Sequence, residues 1–286
     1  MNHILITGSN GQLGNEMRLL ADRYEDEMDL IFTDREELDI TDRQAVRQFI
    51  EQHEIDCVVN CAAFTAVDKA ESEAASCELI NATAPGYLAE AVADRGGNMI
   101  QISTDYVFDG TAHIPYQEDE PTCPNSVYGR TKLQGEENVV RLCPGSMIIR
   151  TAWLYSSFGH NFVKTMIKLG KEREELGVVA DQIGTPTYAH DLAEVVYTAL
   201  NNGIVPGIYH YTNEGVTSWY DFAKAIHRAA GIDDEDCHIK PLHTEDYPSA
   251  AQRPHYSVLD KTKIKQVLGI EIPWWEDSLK NCIKKL

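Results

Sequence analysis

The chain has 286 residues, 43% hydrophobic and 24% charged, a globular mix that argues against disorder. Its 25 Lys and Arg against 45 Asp and Glu leave a formal net charge of −20, which argues against a general binder of nucleic acid or anionic membrane but leaves room for one basic pocket. At ~150 residues per domain, this length predicts two domains or one large one, with enough buried surface to fold without disulfides or metal.

No apolar stretch reaches the ~18 residues of a membrane span. Met1-Asn2-His3 runs straight into Ile4-Leu5-Ile6, without the basic n-region of a signal peptide. Seven cysteines with no C-x-x-C pair fit a reduced, cytoplasmic chain. Cys57 and Cys61 sit in an apolar run with no second Cys or His pair nearby, so they read as buried thiols rather than metal ligands.

In chain order, short Ile- and Val-rich runs at 3–7, 29–33, 56–60, 98–103 and 146–151 read as strands apolar on both faces, as in the centre of a parallel sheet. Helical stretches at 12–23, 42–53, 73–95 and 126–141 lie between them. Thr41-Asp42-Arg43-Gln44 opens the second with a capping-box pattern, and Gly96-Gly97 closes the third. This alternation predicts a Rossmann-like doubly wound parallel α/β sheet. The second half predicts helices at 159–173, 188–201, 217–230 and 275–285, short strands near 177–180, 207–211 and 237–240, and irregular loop from 241 to 260. The expected division is a dinucleotide-binding domain of residues 1–151 plus about 188–212, and a smaller C-terminal substrate-binding lobe of about 152–187 and 213–286. Acidic Glu25–Asp29 and Asp233–Asp236 read as solvated loops.

Gly8-Ser9-Asn10-Gly11-Gln12-Leu13-Gly14 follows the first strand and opens the first helix with G-x-x-G-x-x-G spacing. Glycines there permit a tight turn and close approach to a pyrophosphate, and the helix N-terminus adds free N–H groups and partial positive charge. Asp34, at the end of the second strand, suits the ribose hydroxyls of NADH, while the adjacent Arg35 suits the 2′-phosphate of NADPH. The two point to opposite cofactors, and the choice stays open. Asp39 and Ile40 lie in the following loop, where an adenine can rest. After the third strand, Ala62 and Ala63 let a cofactor lie against backbone.

Tyr128 and Lys132 stand four apart on a predicted helix, hence on one face. A free Tyr has a pKa near ~10, too high to shuttle protons well at neutral pH, and a nearby ammonium lowers it. Ser103-Thr104-Asp105-Tyr106 ends the fourth strand, where a hydroxyl can share a substrate carbonyl with Tyr128.

These residues resemble the extended short-chain dehydrogenase/reductases, most closely their dTDP-4-dehydrorhamnose reductase branch. The strings that carry the resemblance span nearly the whole chain: NCAAFTAVDKAE (60–71), STDYVF (103–108), YGRTK (128–132), RTAWLY (150–155), NFVKTM (161–166), DQIGTPT (181–187) and Arg253-Pro254. The resemblance implies reduction of a 4-keto sugar nucleotide by NADPH or NADH. It implies Asn10, Gly11, Gln12 and Leu13 at the pyrophosphate, Asp39 and Ile40 near adenine, and Ala63, Phe64 and Thr65 along the cofactor. It implies Tyr128 as proton donor, Lys132 on the nicotinamide ribose, Thr104 polarising the carbonyl, and Val67, Asp105 and Trp153 at the hexose. Arg253 suits the diphosphate. Trp153 as core packing and Arg253 as an ordinary loop arginine are the alternatives.

Phe64 stands where several relatives carry His. Some relatives bridge a dimer through magnesium; Glu16 matches one ligand position, His190 replaces an acidic one, and the chain ends before the third. Neither metal nor magnesium-bridged dimer is therefore expected, only a monomer or weak homodimer. Two other functions compete. A sugar-nucleotide epimerase or dehydratase would keep its cofactor bound, but Tyr106 occupies the position where a dehydratase carries glutamate. A non-catalytic regulatory subunit of methionine adenosyltransferase would bind the cofactor structurally.

Overall fold

A computed structural model describes residues 2–24 and 27–286; Glu25 and Asp26, part of the acidic stretch read as a solvated loop, lie outside them. The chain forms strands β1 (Asn2–Thr7), β2 (Met28–Thr33), β3 (Cys57–Asn60), β4 (Asn98–Thr104) and β5 (Met147–Thr151). They pair in parallel, and Gly207–His210 adds beyond β5, giving the order Gly207–His210, β5, β4, β3, β1, β2. From β1 the chain moves first to β2 on one side and then to β3 on the other. A crevice therefore opens at the carboxyl ends of β1 and β3, where ligands of such sheets bind.

Helices cover both faces: α1 (Gln12–Leu20), α2 (Arg43–Gln52), α3 (Val67–Ala70), α4 (Ala74–Glu78), α5 (Ala84–Asp94), α6 (Val127–Leu142), α7 (Phe162–Glu172), α8 (Ala189–Asn202), α9 (Trp219–Ala229), α10 (Thr262–Leu268) and α11 (Trp275–Ile283). Strand parity explains the continuous apolar runs. Ile4 and Ile6 pack with Met17 of α1 and Leu192 and Val196 of α8. Leu5 points the other way, onto Val46, Leu88 and Val139. Each such side chain contributes roughly 1.5–3 kcal/mol on burial. A third cluster, built from Val163, Met166, Phe222, Ile226, Ile239 and Leu279, forms the core of the smaller C-terminal lobe. The architecture is thus a Rossmann-like doubly wound α/β sheet with that lobe beside it. No helix among the described residues is long and apolar enough to cross a membrane.

Four local expectations are corrected. Met28, read as loop, starts β2, and Asp29, read both as the end of that loop and as the first strand residue, lies within it. The cap of α2 is Asp42, whose carboxylate accepts from the Gln44 and Ala45 N–H groups, while Thr41 donates instead to Asp39. The single helix expected over 73–95 is α4 and α5 joined through a π turn at Leu79–Thr83. Pro85 has no N–H to offer the Asn81 carbonyl, so the ladder widens there. Helices α3 and α10 were not expected; at four and seven residues they are too short to show a clear helical period.

Candidate active site

A cleft of about 1070 Å³ opens at the carboxyl ends of the strands. Gly8, Gly11, Gln12, Leu13, Asp34, Arg35, Asp39, Ile40, Ala62, Ala63, Phe64 and Thr65 line one part of it. Val67, Thr104, Asp105, Tyr128, Lys132 and Trp153 line the other. Asn10, Gly14 and Arg253 are not among its walls.

The glycines of the first loop serve different ends. Gly8 has φ +64°, and a Cβ there would stand 2.6 Å from the Ala62 nitrogen. At Gly14 a Cβ would stand 2.5 Å from Ser9 Cα. These two let backbone pack on backbone, which is why Gly14 lies under the loop rather than on the cleft. Gly11 faces the cleft and caps α1 with no side-chain hydrogen bond. The first-turn N–H groups of α1 therefore have no side-chain acceptor at the cap and suit a pyrophosphate.

Asn10 faces outward and its N–H donates to Asp34 Oδ2 at 3.0 Å. Asp34 Oδ1 also accepts the Arg35 N–H at 2.8 Å. The Arg35 side chain is 86% exposed, with only a loose ion pair to Asp39 at 3.9 Å.

Past β3, Asn60 Oδ1 accepts from Thr7 Oγ1 at 2.6 Å and from the Ala62 N–H at 3.2 Å, which fixes the start of the Ala62–Thr65 wall. Asn81, inside the π turn, clamps that wall further on. Its Oδ1 accepts the Phe64 N–H at 2.8 Å and its Nδ2 donates to the Phe64 carbonyl at 3.0 Å. Sequence reasoning missed Asn81; the signal was Pro85 inside a helical pattern. Glu71 of the TAVDKAE string accepts the Val127 N–H at 2.8 Å and so anchors the start of α6.

Helix α6 is capped by Ser126, which accepts the Gly129 N–H at 3.1 Å, and carries Tyr128 and Lys132 into the cleft. Tyr128 is half-buried on the cleft, and desolvation pushes its phenol well above the usual value while the Thr104 hydroxyl pulls it down. Lys132 does not supply that pull; its Nζ donates to the Ile102 carbonyl at 2.6 Å. Burial drives the Lys132 pKa down to about 8, opposed by Glu136. Thr104 Oγ1 donates to Asp105 Oδ1 at 3.0 Å, and burial raises the Asp105 carboxyl to about 6. Asp105 Oδ2 has no partner, so the carboxyl retains an acceptor.

Trp153 leaves β5 at φ +48°, in the left-handed region. Its indole stacks on Trp219, at the start of α9, with centroids 3.7 Å apart. Trp219 also lines the cleft and was not foreseen. Arg253 is held elsewhere: its Nη2 donates to Asp68 Oδ2 at 2.6 Å, beside cleft-lining Val67. The ion pair satisfies Nη2 but leaves Arg253 Nη1 buried without a partner, and the Asp68 carboxylate also accepts the Ala251 N–H.

Glu16 does not suit a magnesium ion. It is buried, with Oε1 accepting from Ser156 at 2.6 Å and Oε2 facing His190 Nδ1 at 3.1 Å. The described residues hold no group of three or more His, Cys, Asp and Glu suited to a metal.

An open helix N-terminus, an acidic turn after β2 and a Thr–Tyr–Lys group on one parallel sheet define an extended short-chain dehydrogenase/reductase. The chain matches the family model "RmlD substrate binding domain" over residues 1–286 and belongs to that family. It is 43% identical to the dTDP-4-dehydrorhamnose reductase of Aggregatibacter actinomycetemcomitans, with 98% of each chain covered. The crystal structure of a dTDP-4-dehydrorhamnose reductase from Clostridium acetobutylicum matches with TM-score 0.93 and 46% identity, covering 99% of this chain and 98% of that one. The same enzyme from Bacillus anthracis, in complex with NADP, matches with TM-score 0.94 and 39% identity over 100% of both chains.

Proposed function

We propose that the protein reduces the 4-keto group of dTDP-4-dehydro-β-L-rhamnose to dTDP-β-L-rhamnose, using NADPH or NADH, in the cytoplasm, as a monomer or weak homodimer. The observation that carries this reading is that Tyr128, Lys132 and Thr104 line one cleft with Gly11, Gln12 and Leu13 of the glycine loop and with the stacked Trp153 and Trp219. The sheet with about 188–212 holds the cofactor, and the lobe of about 152–187 and 213–286 closes the sugar side.

A nicotinamide cofactor held in this cleft would supply the hydride that reduces C4. Tyr128 gives its phenolic proton to the C4 oxygen as that oxygen gains charge, and its burial keeps the proton in place until then. Thr104 holds Tyr128 and the carbonyl oxygen in register. Lys132 holds the nicotinamide ribose and, as an ammonium, steadies the tyrosinate left behind. The α1 N-terminus with Asn10, Gly11, Gln12 and Leu13 holds the pyrophosphate, Asp39 and Ile40 border the adenine, and Asp34 and Arg35 meet the ribose. Val67, Asp105 and Trp153 hold the hexose. Arg253 reaches the diphosphate by exchanging Asp68 for it.

The test is cofactor oxidation at 340 nm, with substrate generated from dTDP-glucose by the upstream dehydratase and epimerase. Oxidation that depends on the epimerase and collapses in Tyr128→Phe is expected. No oxidation with either cofactor, despite demonstrable binding, would overturn the reading in favour of a regulatory protein.

A further inference from the structure

One helical turn beyond Lys132, Glu136 is 2% exposed and sits behind Ser103, which lines the cleft. Arg150 of β5, also 2% exposed, grips it with two parallel hydrogen bonds, Nε to Oε1 at 3.0 Å and Nη2 to Oε2 at 2.7 Å. The Ser103 hydroxyl, one residue before Thr104, donates to the same Oε1. Arg150 leans on the Phe108 ring, 5.2 Å from its centroid. Burying a charged pair is costly, and apolar residues of the same volume often stabilise as well. A pair retained beneath a catalytic ammonium points to a use beyond packing.

We propose that Glu136, clamped by Arg150 and Ser103, is a positioning residue that keeps Lys132 charged in its buried seat. This rests on the reductase reading for its catalytic consequence, but the electrostatic part stands on the protein alone. The groups around Lys132 leave few other sources of negative charge. Tyr128 shares its helix, and burial keeps its phenol protonated. Cys61, after β3, is pushed up to about 12, and burial also raises the Cys77 thiol of α4, so both are neutral near pH 7. Asp105, beyond β4, bears on Tyr128 rather than on Lys132. On the far side of Arg150, His210 is held neutral by burial, with its pKa near 3. Glu136 is thus the carboxylate that opposes desolvation of the ammonium. Ser103, next to Thr104 in β4, ties this pair to the strand that carries Thr104.

The sign of the effect is set. Removing the Glu136 charge takes away the carboxylate that opposes desolvation of the Lys132 ammonium, which lowers the lysine pKa. The ammonium is then lost at lower pH, and the alkaline limb of the rate profile moves down.

The experiment compares wild type with Glu136→Gln and Glu136→Asp, each checked for folding by circular dichroism. The Lys132 ammonium is titrated by NMR in protein carrying ε-13C lysine, its signal assigned by absence in Lys132→Met. Rate profiles are run on the same proteins. In Glu136→Gln the Lys132 midpoint should fall by about one pH unit or more, with rate lost at pH 8 and largely recovered at pH 6.5. Glu136→Asp, which keeps the charge, should titrate close to wild type. An unmoved midpoint in folded Glu136→Gln overturns the proposal, as does a rate lowered equally at every pH. If Glu136→Gln does not fold, Ser103→Ala decides: with the Ser103 hold on the carboxylate gone, its charge is less stabilised and less well placed, so the midpoint should fall, and an unmoved or higher midpoint overturns the proposal. A shifted midpoint in a chain with no reductase activity would sink the reductase reading while leaving the electrostatic coupling in place.

Discussion

Trp153 and Trp219 stack face to face, with ring centroids 3.7 Å apart and planes 13° from parallel. The first leaves a sheet strand and the second opens a helix of the C-terminal lobe, so the contact joins the two halves of the cleft. Trp153 accepts a left-handed backbone to make it, at a cost of about 1–2 kcal/mol. Gly184 gives it room, since a Cβ there would stand 2.7 Å from the ring. Trp219→Ala should release Trp153, raising KM for the sugar nucleotide about tenfold or more, the loss of roughly 1.4 kcal/mol. NADPH affinity should stay unchanged; isothermal titration with each ligand separates the two.

Asn81→Ala removes both hydrogen bonds that hold Phe64 and leaves buried backbone groups without partners. A loss of about 1–3 kcal/mol in urea unfolding is expected, together with weaker NADPH binding. Unchanged cofactor affinity would show that Asn81 serves stability alone.

Asp105 carries a pH-dependent cost. Its folded pKa of about 6 lies above the ordinary carboxylate value, so the folded state binds more protons than the unfolded chain between these two pH values. Stability therefore falls as pH rises through that window, by on the order of 3 kcal/mol. Asp105→Asn should raise the melting temperature at pH 8 but not at pH 4, and should weaken sugar binding. Melting curves at both pH values check the sign.

Glu16 is satisfied by Ser156 and His190 and offers no free carboxylate oxygen to a cation. Dialysis against EDTA should leave both the cofactor oxidation rate and the gel-filtration volume where they were. Loss of either on metal removal, with restoration by magnesium, would contradict the geometry seen at Glu16.

Arg253 is seated on Asp68 rather than on the cleft wall. Asp68→Asn should weaken that hold and free the guanidinium for the diphosphate, lowering KM for the nucleotide sugar. Arg253→Gln should raise it. If both variants leave KM alone, Arg253 fastens the 243–256 segment and nothing more.

Local physics was legible in the residues themselves. The apolar strands β1 to β5 showed because burial on both faces leaves an uninterrupted Ile and Val run. The phosphate loop showed because glycine at a positive φ and an open helix N-terminus follow from a few adjacent residues. Tyr128 and Lys132 showed because a spacing of four brings side chains to one face of a helix. Where the reading went wrong locally, a neighbour had intervened: Thr41 turned to Asp39, leaving Asp42 to cap α2.

The sequence by itself therefore determined the sheet, the glycine loop and the helix that carries Tyr128 and Lys132, because each rests on interactions among residues close along the chain. Only the tertiary structure decided that Asn81 clamps Phe64, that Trp219 backs Trp153, that Asp68 holds Arg253 and that Glu136 and Arg150 lie beneath Lys132. Those partners meet across different elements. Their pairing depends on how helices and strands pack against one another, and no period or spacing in the chain encodes that distance.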